Sequence, residues 1–172
     1  MTSILIAAGT TTGQTVTVAG RMADALSGRG FDVTIHRLAD GDTGDAGDAE
    51  NAGDDGEVGD TVDPAAYDGV LVAASPTDRA HHPAVVAFVQ RHAEILAERP
   101  SGYVQVSTPS AVPWKSPRHG ARDAADALFE ATGWEPDRIG RFTGALPSSQ
   151  VSWPLRLVTR LAALPAGSNP VP

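Results

Sequence analysis

The sequence contains no cysteine, a single lysine at position 115, and no apolar run that approaches the length of a membrane-spanning helix. Without cysteine the chain can form neither a disulfide bond nor a thiolate metal site, and it has no cysteine nucleophile. A helix that crosses a bilayer needs about 20 apolar residues. The first residues have the pattern of a strand and not of a charged and then apolar leader, which predicts that there is no signal peptide. These absences predict a cytoplasmic protein that forms one domain over residues 1–172, with peripheral membrane contact still possible.

The negative charge is concentrated in one stretch. The net charge is −8, and residues 40–63 contain ten of the 21 acidic residues, six of the 18 glycines and no basic residue. The rest of the chain carries eleven acidic and thirteen basic residues, a net charge of +2. Such a stretch buries too little apolar surface to offset its ordering entropy, so we expect a mobile acidic, glycine-rich insertion. Residues 40–45 lack the terminal Glu of a calcium loop, and the charge balance argues against nucleic acid as a partner.

A short apolar run is followed by a loop rich in hydroxyl groups. Residues 4–8 are apolar, as in a strand that is buried on both faces. A helical pattern of apolar residues then extends over about residues 13–27. Between these two elements lie Thr10, Thr11, Thr12, Gly13, Gln14 and Thr15. The pattern predicts a strand that leads through a hydroxyl-rich loop into the N-terminus of a helix.

This junction has the chemistry of an anion site. Free N–H groups and the helix dipole favour a negative charge there, and threonine hydroxyls can donate further hydrogen bonds. The alternative is that the threonines only cap the helix, although one residue suffices for a cap. No lysine follows Gly13, and the Gly-x-Gly-x-x-Gly pattern is absent, so neither a triphosphate loop nor a dinucleotide site is indicated. A phosphate held only by hydroxyl and N–H groups suits flavin mononucleotide (FMN).

Strand and helix patterns alternate along the rest of the chain. Further strands are expected at residues 31–36, 69–74, 102–107 and 139–143, and helices at about 83–99 and 118–132. This alternation predicts an α/β fold with a doubly wound parallel sheet. Ligands bind to such sheets at the carboxyl ends of the strands, where the strand order reverses. Residues 152–164 form a last amphipathic segment, for which we expect packing on the core or contact with a membrane surface.

Three segments resemble a known family. The threonine loop matches the phosphate loop of flavodoxins, Ser/Thr-x-Thr-Gly-x-Thr, at each defined position. Residues 134–138 (Trp-Glu-Pro-Asp-Arg) and 144–146 (Gly-Ala-Leu) resemble the flavodoxin-like, menaquinone-dependent protoporphyrinogen IX dehydrogenases. The resemblance implies a five-stranded sheet of order 2-1-3-4-5 and an FMN cofactor. It also implies oxidation of protoporphyrinogen IX to protoporphyrin IX in haem biosynthesis, with a quinone as the acceptor.

The resemblance also indicates which loops would surround the flavin. The phosphate would lie on residues 10–15, and the ring would lie against the loops that follow the third and fourth strands. The first of these loops has no aromatic residue other than two histidines, which leaves one face of the ring open and favours an enzyme. Trp114 could contact the ring or could be a hydrophobic anchor of its loop. The ring-contacting candidates are Ser75, Pro76, Thr77, Asp78, Ser107, Thr108 and Trp114.

The remaining candidates concern the substrate. Lys115, Arg118 and Arg122 could hold the propionates of a porphyrinogen, because guanidinium pairs bidentately with carboxylate. The alternative is an ordinary solvated helix face. His81 and His82 are candidates for the proton acceptor, for helix capping or for contact with the flavin. Neighbouring residues point in different directions, so we expect no metal site at these histidines.

Two other functions remain open at this stage. The first is a flavodoxin-type FMN electron carrier without a substrate of its own, whose partner would be a redox protein. The second is a flavodoxin-fold protein that has lost its flavin. Fold alone does not distinguish these functions from an enzyme that acts on a porphyrinogen or another redox small molecule.

Overall fold

The structure is a computed structural model that describes residues 1–9, 13–38, 62–76, 80–107 and 117–143, with the backbone alone at 117–123 and at 143. The phosphate-loop residues 10–12, residues 40–61 of the acidic insertion and the C-terminal segment 152–164 all lie outside these ranges. The expectations for those three segments therefore remain predictions.

Five parallel strands form one sheet. They are β1 (Ser3–Gly9), β2 (Asp32–Leu38), β3 (Gly69–Ala74), β4 (Ser101–Ser107) and β5 (Arg138–Thr143). Their order across the sheet is β2-β1-β3-β4-β5, with every neighbouring pair parallel. The predicted fold class and strand order are confirmed. Strands β1, β3 and β4 are buried on both faces along almost their whole length. This burial explains why the sequences of β1 and β3 are apolar runs without an alternation of polar and apolar residues.

Helices cover the two faces of the sheet. Helix α1 (Gln14–Ser27) packs on one face, where Val18, Met22 and Leu26 contact apolar side chains of β1, β3 and β4. The other face is covered by α2 (Pro83–Arg91), α3 (Ala93–Glu98) and α4 (Pro117–Thr132). A short 3₁₀ turn, Pro64–Ala66, precedes β3, and the side chain of Asp63 accepts a hydrogen bond from the Ala65 amide at its start.

The prediction of one long helix over residues 83–99 is wrong in one respect. The structure has two helices in this range, α2 and α3, which are divided at His92. The backbone of His92 has φ −113° and ψ 18°, outside the helical range, and its ring packs on Phe88 with the two ring centres 4.9 Å apart. Val85, Val89 and Leu96 still form a buried stripe, as the sequence pattern predicted. The break therefore interrupts the helix without removing its apolar face.

Candidate functional site

The carboxyl ends of three strands lie side by side. The last residue of β1, Gly9, is paired with the last residue of β3, Ala74, which is paired in turn with Gln105 near the end of β4. The strand order reverses between β1 and β3, because β2 lies on the far side of β1 while β4 lies on the far side of β3. This is the position at which ligands bind to doubly wound sheets. The predicted phosphate loop and both predicted ring-contacting loops begin at this edge.

Gly9 is required by close packing at this edge. A Cβ atom on Gly9 would lie 2.1 Å from the Val85 Cγ2 atom of α2. Val85 is fully buried in the first turn of that helix. The glycine at the end of β1 therefore lets α2 approach the sheet beside the predicted site, and a larger residue would displace the helix.

The N-terminus of α1 has the features of an anion site. The helix is preceded by Gly13, which has φ +74°, offers no side-chain cap and has open space where a Cβ atom would lie. The first turn contains no acidic residue. Thr15 is fully buried, and its hydroxyl group has no hydrogen-bond partner among the described residues. A buried hydroxyl without a partner is uncommon in folded proteins, and a phosphate oxygen would satisfy it.

These residues therefore fit the phosphate group of FMN. Gly13, Gln14 and Thr15 follow β1 as the sequence predicted, while Thr10, Thr11 and Thr12 lie outside the described residues. The simple capping alternative is weaker for Thr15, because its hydroxyl group makes no cap hydrogen bond.

The loop after β3 leads into a buried histidine. Ser75 and Pro76 are half-buried at the start of this loop, and Thr77 and Asp78 lie outside the described residues. His81 is buried, and its Nε2 atom lies 2.5 Å from the hydroxyl oxygen of Tyr103 on β4. The ring also packs edge-on against the Tyr103 ring.

Burial fixes the protonation states of this pair. Burial lowers the pKa of His81 to about 4, although a hydrogen bond to the backbone of Ala124 acts in the opposite direction. Burial also raises the pKa of Tyr103. At neutral pH the Tyr103 hydroxyl therefore donates to the Nε2 atom of a neutral His81. The histidine joins the end of the β3 loop to β4 and α4.

His82 has a different partner. Its Nδ1 atom accepts a hydrogen bond from the Ala84 amide at 3.3 Å, so the side chain caps the N-terminus of α2 directly before Pro83. Capping was one of the roles that the sequence left open. Because the rings of both His81 and His82 have structural partners, the assignment of either one as a proton acceptor remains a prediction.

The other predicted site residues follow β4. Ser107 is the last residue of this strand and is half-buried. Arg118 and Arg122 lie in α4, one helical turn apart along its backbone. Thr108, Trp114 and Lys115 lie outside the described residues. The structure thus places the ends of β1, β3 and β4, from which these loops start, at one edge of the sheet, while the ring and substrate contacts themselves remain predictions.

One polar residue at this edge was missed by the sequence analysis. Gln105 is almost fully buried in β4, and its Oε1 atom has no hydrogen-bond partner among the described residues. The sequence pattern that could have identified it is a polar residue at every second position of the strand: Ser101, Tyr103, Gln105 and Ser107.

Two further observations concern the described part of the chain. Within it, no cluster of three or more His, Asp or Glu side chains could hold a metal ion. None of its helices combines the length and the apolar character that crossing a membrane requires.

Several solved structures resemble this chain. The flavodoxin of Streptococcus pneumoniae TIGR4 is 19% identical with a TM-score of 0.54, and the alignment covers 94% of this chain and 98% of that protein. The two-electron reduced flavodoxin of Megasphaera elsdenii is 18% identical with a TM-score of 0.57, over 94% of this chain and 98% of that protein. A flavoprotein of Lactobacillus acidophilus NCFM, solved in complex with FMN, is 13% identical with a TM-score of 0.50, over 82% and 93% of the two chains. At these identities the likeness shows the fold.

Comparison by sequence gives the family. No curated protein matches the chain significantly, but the family model described as flavodoxin domain matches residues 5–168. That match includes β1 from Leu5 onward, the other four strands, the threonine loop and the residues that fit a phosphate. The chain therefore belongs to the flavodoxin family, whose cofactor is FMN.

Proposed function

We propose that this protein is an FMN-dependent oxidoreductase whose flavin binds across the carboxyl ends of β1, β3 and β4. The observation that carries the proposal is the buried Thr15 hydroxyl, which has no hydrogen-bond partner among the described residues and lies in the first turn of a helix whose N-cap residue, Gly13, offers no side chain. Thr15 and the amides at the start of α1 would hold the phosphate together with Thr10, Thr11 and Thr12. Residues 75–78, Ser107, Thr108 and Trp114 would surround the ring. Bound FMN would supply an acceptor for two electrons at its N5 position.

The loop after β3 favours an enzyme over a carrier. Residues 75–80 contain no aromatic residue, so the nearest aromatic rings in the sequence after this loop are those of the two histidines that follow it. The His81 ring is directed to Tyr103 and the His82 ring caps α2. This arrangement supports a flavin with one face accessible to a substrate.

We further propose protoporphyrinogen IX as the substrate and a quinone as the final acceptor. This step depends on the resemblance of residues 134–138 and 144–146 to the protoporphyrinogen dehydrogenases. A flat macrocycle suits an open flavin face. Arg118 and Arg122, one turn apart in α4, would pair with its two propionates together with Lys115. Reaction with a quinone would also give a reason for peripheral contact with a membrane.

A second candidate is an FMN electron carrier that exchanges electrons with a redox protein. The observation in its favour is that the fold neighbours from S. pneumoniae and M. elsdenii are described as flavodoxins. The two functions differ in whether a small substrate reduces the flavin directly.

Anaerobic mixing distinguishes the two candidates. When the FMN-loaded protein is mixed with protoporphyrinogen IX, we expect loss of the flavin absorption and the appearance of porphyrin fluorescence. The Arg118→Ala/Arg122→Ala double variant should weaken substrate affinity more than FMN affinity. The Arg29→Ala variant is the matched control, because Arg29 is exposed after the far end of α1. A flavin that protoporphyrinogen IX does not reduce, but that exchanges electrons rapidly with a redox protein, would favour the carrier.

A further inference from the structure

One face of β4 carries a line of polar side chains through an apolar core. Ser101, Tyr103, Gln105 and Ser107 alternate along this strand, and successive side chains of a strand point to opposite faces. The Ser101 hydroxyl donates to the Leu96 carbonyl and accepts from the Trp134 indole. Tyr103 is paired with His81. These two positions are therefore satisfied within the protein.

Gln105 is satisfied only in part. Its Nε2 atom donates to the Ser107 hydroxyl at 3.3 Å, whereas its Oε1 atom has no partner among the described residues. The side chain is only 1% exposed, so water does not reach it freely. Leaving a buried carbonyl oxygen without a hydrogen bond destabilises a folded protein, because the oxygen loses its bonds to water and gains none in return. Such an atom needs an explanation, and a ligand that donates to it is one.

The position of the amide group points to the same site as Thr15. Gln105 lies beside Ala74, the last residue of β3. Its amide nitrogen reaches Ser107, the last residue of β4, so the amide group extends towards the carboxyl edge of the sheet. The loops after β3 and β4 start at this edge. The unpartnered oxygen therefore lies below the place where the flavin ring is proposed to bind.

We propose that Gln105 contacts the flavin and that its side-chain oxygen accepts a hydrogen bond from the imide N3–H of the isoalloxazine ring. This inference depends on the proposed binding of FMN. The imide is the one N–H donor of the oxidised ring, and carbonyl groups flank it on both sides. A carboxamide is complementary to this edge, because its second N–H can donate to a neighbouring carbonyl. Ser107 holds the amide in position through the Nε2 hydrogen bond.

The substitution Gln105→Met tests this assignment, because it keeps the length of the side chain and removes the amide. We expect the apoprotein to be at least as stable towards urea as the unsubstituted protein, since a buried unpartnered oxygen is removed. We expect the Kd for FMN to rise by about tenfold, the value of one hydrogen bond. Gln105→Leu serves as a second variant. The matched control is Gln90→Met on the exposed side of α2, which should change neither quantity.

Titration with N3-methyl-FMN identifies the donor. Methylation of the ring nitrogen should weaken binding to the unsubstituted protein by about tenfold, and should weaken binding to Gln105→Met much less. Equal losses in both proteins would overturn the assignment to N3–H and would favour a ribityl hydroxyl as the donor. A less stable Gln105→Met apoprotein with an unchanged Kd for FMN would show that Gln105 is only structural. Failure of the unsubstituted protein to bind FMN would overturn the proposed function itself.

Discussion

The two edges of the sheet differ in how their polar side chains are hydrogen-bonded. At the amino-terminal edge, the Asp68 carboxylate accepts hydrogen bonds from the Ser3 amide and hydroxyl at 2.8 and 3.1 Å, and the Asp137 carboxylate accepts from the Ser101 amide at 2.9 Å. At the carboxyl-terminal edge lie the two buried side-chain atoms that have no partner among the described residues, Thr15 Oγ1 and Gln105 Oε1.

The hydrogen bonds that stabilise the fold and the atoms that would bind a ligand therefore lie at opposite edges of the sheet. Hydrogen bonds at the amino-terminal edge fix the starts of β1 and β4 to the residues that precede β3 and β5. The unpartnered atoms at the other edge lower the stability of the apoprotein, and a bound ligand would repay that loss. Substitutions at the amino-terminal edge should therefore affect unfolding, while those at the carboxyl-terminal edge should affect FMN binding.

The largest expected effect is at Trp134. This buried indole donates to the Ser101 hydroxyl at 3.0 Å and packs edge-on against Phe129 and Tyr103. Trp134→Ala should lower the free energy of unfolding by about 3–5 kcal/mol in urea titrations, because it leaves a large cavity. Trp134→Phe should lower it less. The Kd for FMN of the folded protein should not change, and a large change in Kd with little loss of stability would contradict the division between the edges.

A smaller effect is expected from His81, which lies between the two edges and is fully paired. Because its pKa in the folded protein is about 4, below its ordinary value of 6.5, the unfolded chain binds more protons between these pH values. Stability should therefore be complete above about pH 6.5 and should fall by roughly 2–3 kcal/mol as the pH is lowered to 4.

Unfolding titrations across this pH range measure the effect. The variant His81→Gln should reduce the pH dependence, while His82→Asn, which retains a capping side chain on α2, should leave it intact. If the free energy of unfolding depends on pH as strongly in His81→Gln as in the unsubstituted protein, another group is responsible.

A substitution at Thr15 should affect FMN binding and not unfolding, as expected for the carboxyl-terminal edge. The substitution Thr15→Val keeps the shape of the side chain and removes the unpartnered hydroxyl. The apoprotein should be as stable as before or more stable, while the Kd for FMN should rise by about tenfold. Thr17→Val on the exposed side of the same helix is the matched control. Loss of stability with an unchanged Kd would assign Thr15 to the core.

The smallest effect is expected at Asp68. Hydrogen bonds from the Ser3 backbone and hydroxyl lower the pKa of this carboxyl group, while its limited burial acts in the opposite direction. Its contribution to stability is therefore present above its ordinary pKa of 3.8 and is lost as the pH falls below that value. Because the carboxylate is exposed, Asp68→Asn should lower the free energy of unfolding by less than about 1 kcal/mol. No change in the Kd for FMN is expected.

Much of the fold could be predicted from sequence, for identifiable reasons. Strands β1 and β3 are buried on both faces, so their apolar runs are distinct, and Gly13 marks the start of α1. The strand order followed from the flavodoxin resemblance. The break at His92 could not be predicted, because residues 83–98 have an unbroken apolar period and no glycine or proline after Pro83.

Parts of the site were harder to foresee. A loop has no periodicity, so the sequence could not show that His81 turns inward to Tyr103 while His82 caps α2. Gln105 is not among the predicted site residues, because the pattern of a strand does not show which of its polar side chains is buried without a hydrogen-bond partner. A phosphate site could be proposed from the sequence because its candidate residues lie in one continuous segment, residues 10–15.

Titration of the apoprotein with FMN and with riboflavin tests the central claim most directly. Quenching of flavin fluorescence should show one FMN bound for each chain, with riboflavin bound about a hundredfold more weakly, because riboflavin lacks the phosphate and its charge-assisted hydrogen bonds at the start of α1. Equal affinities for the two flavins, or no binding of FMN, would contradict the account.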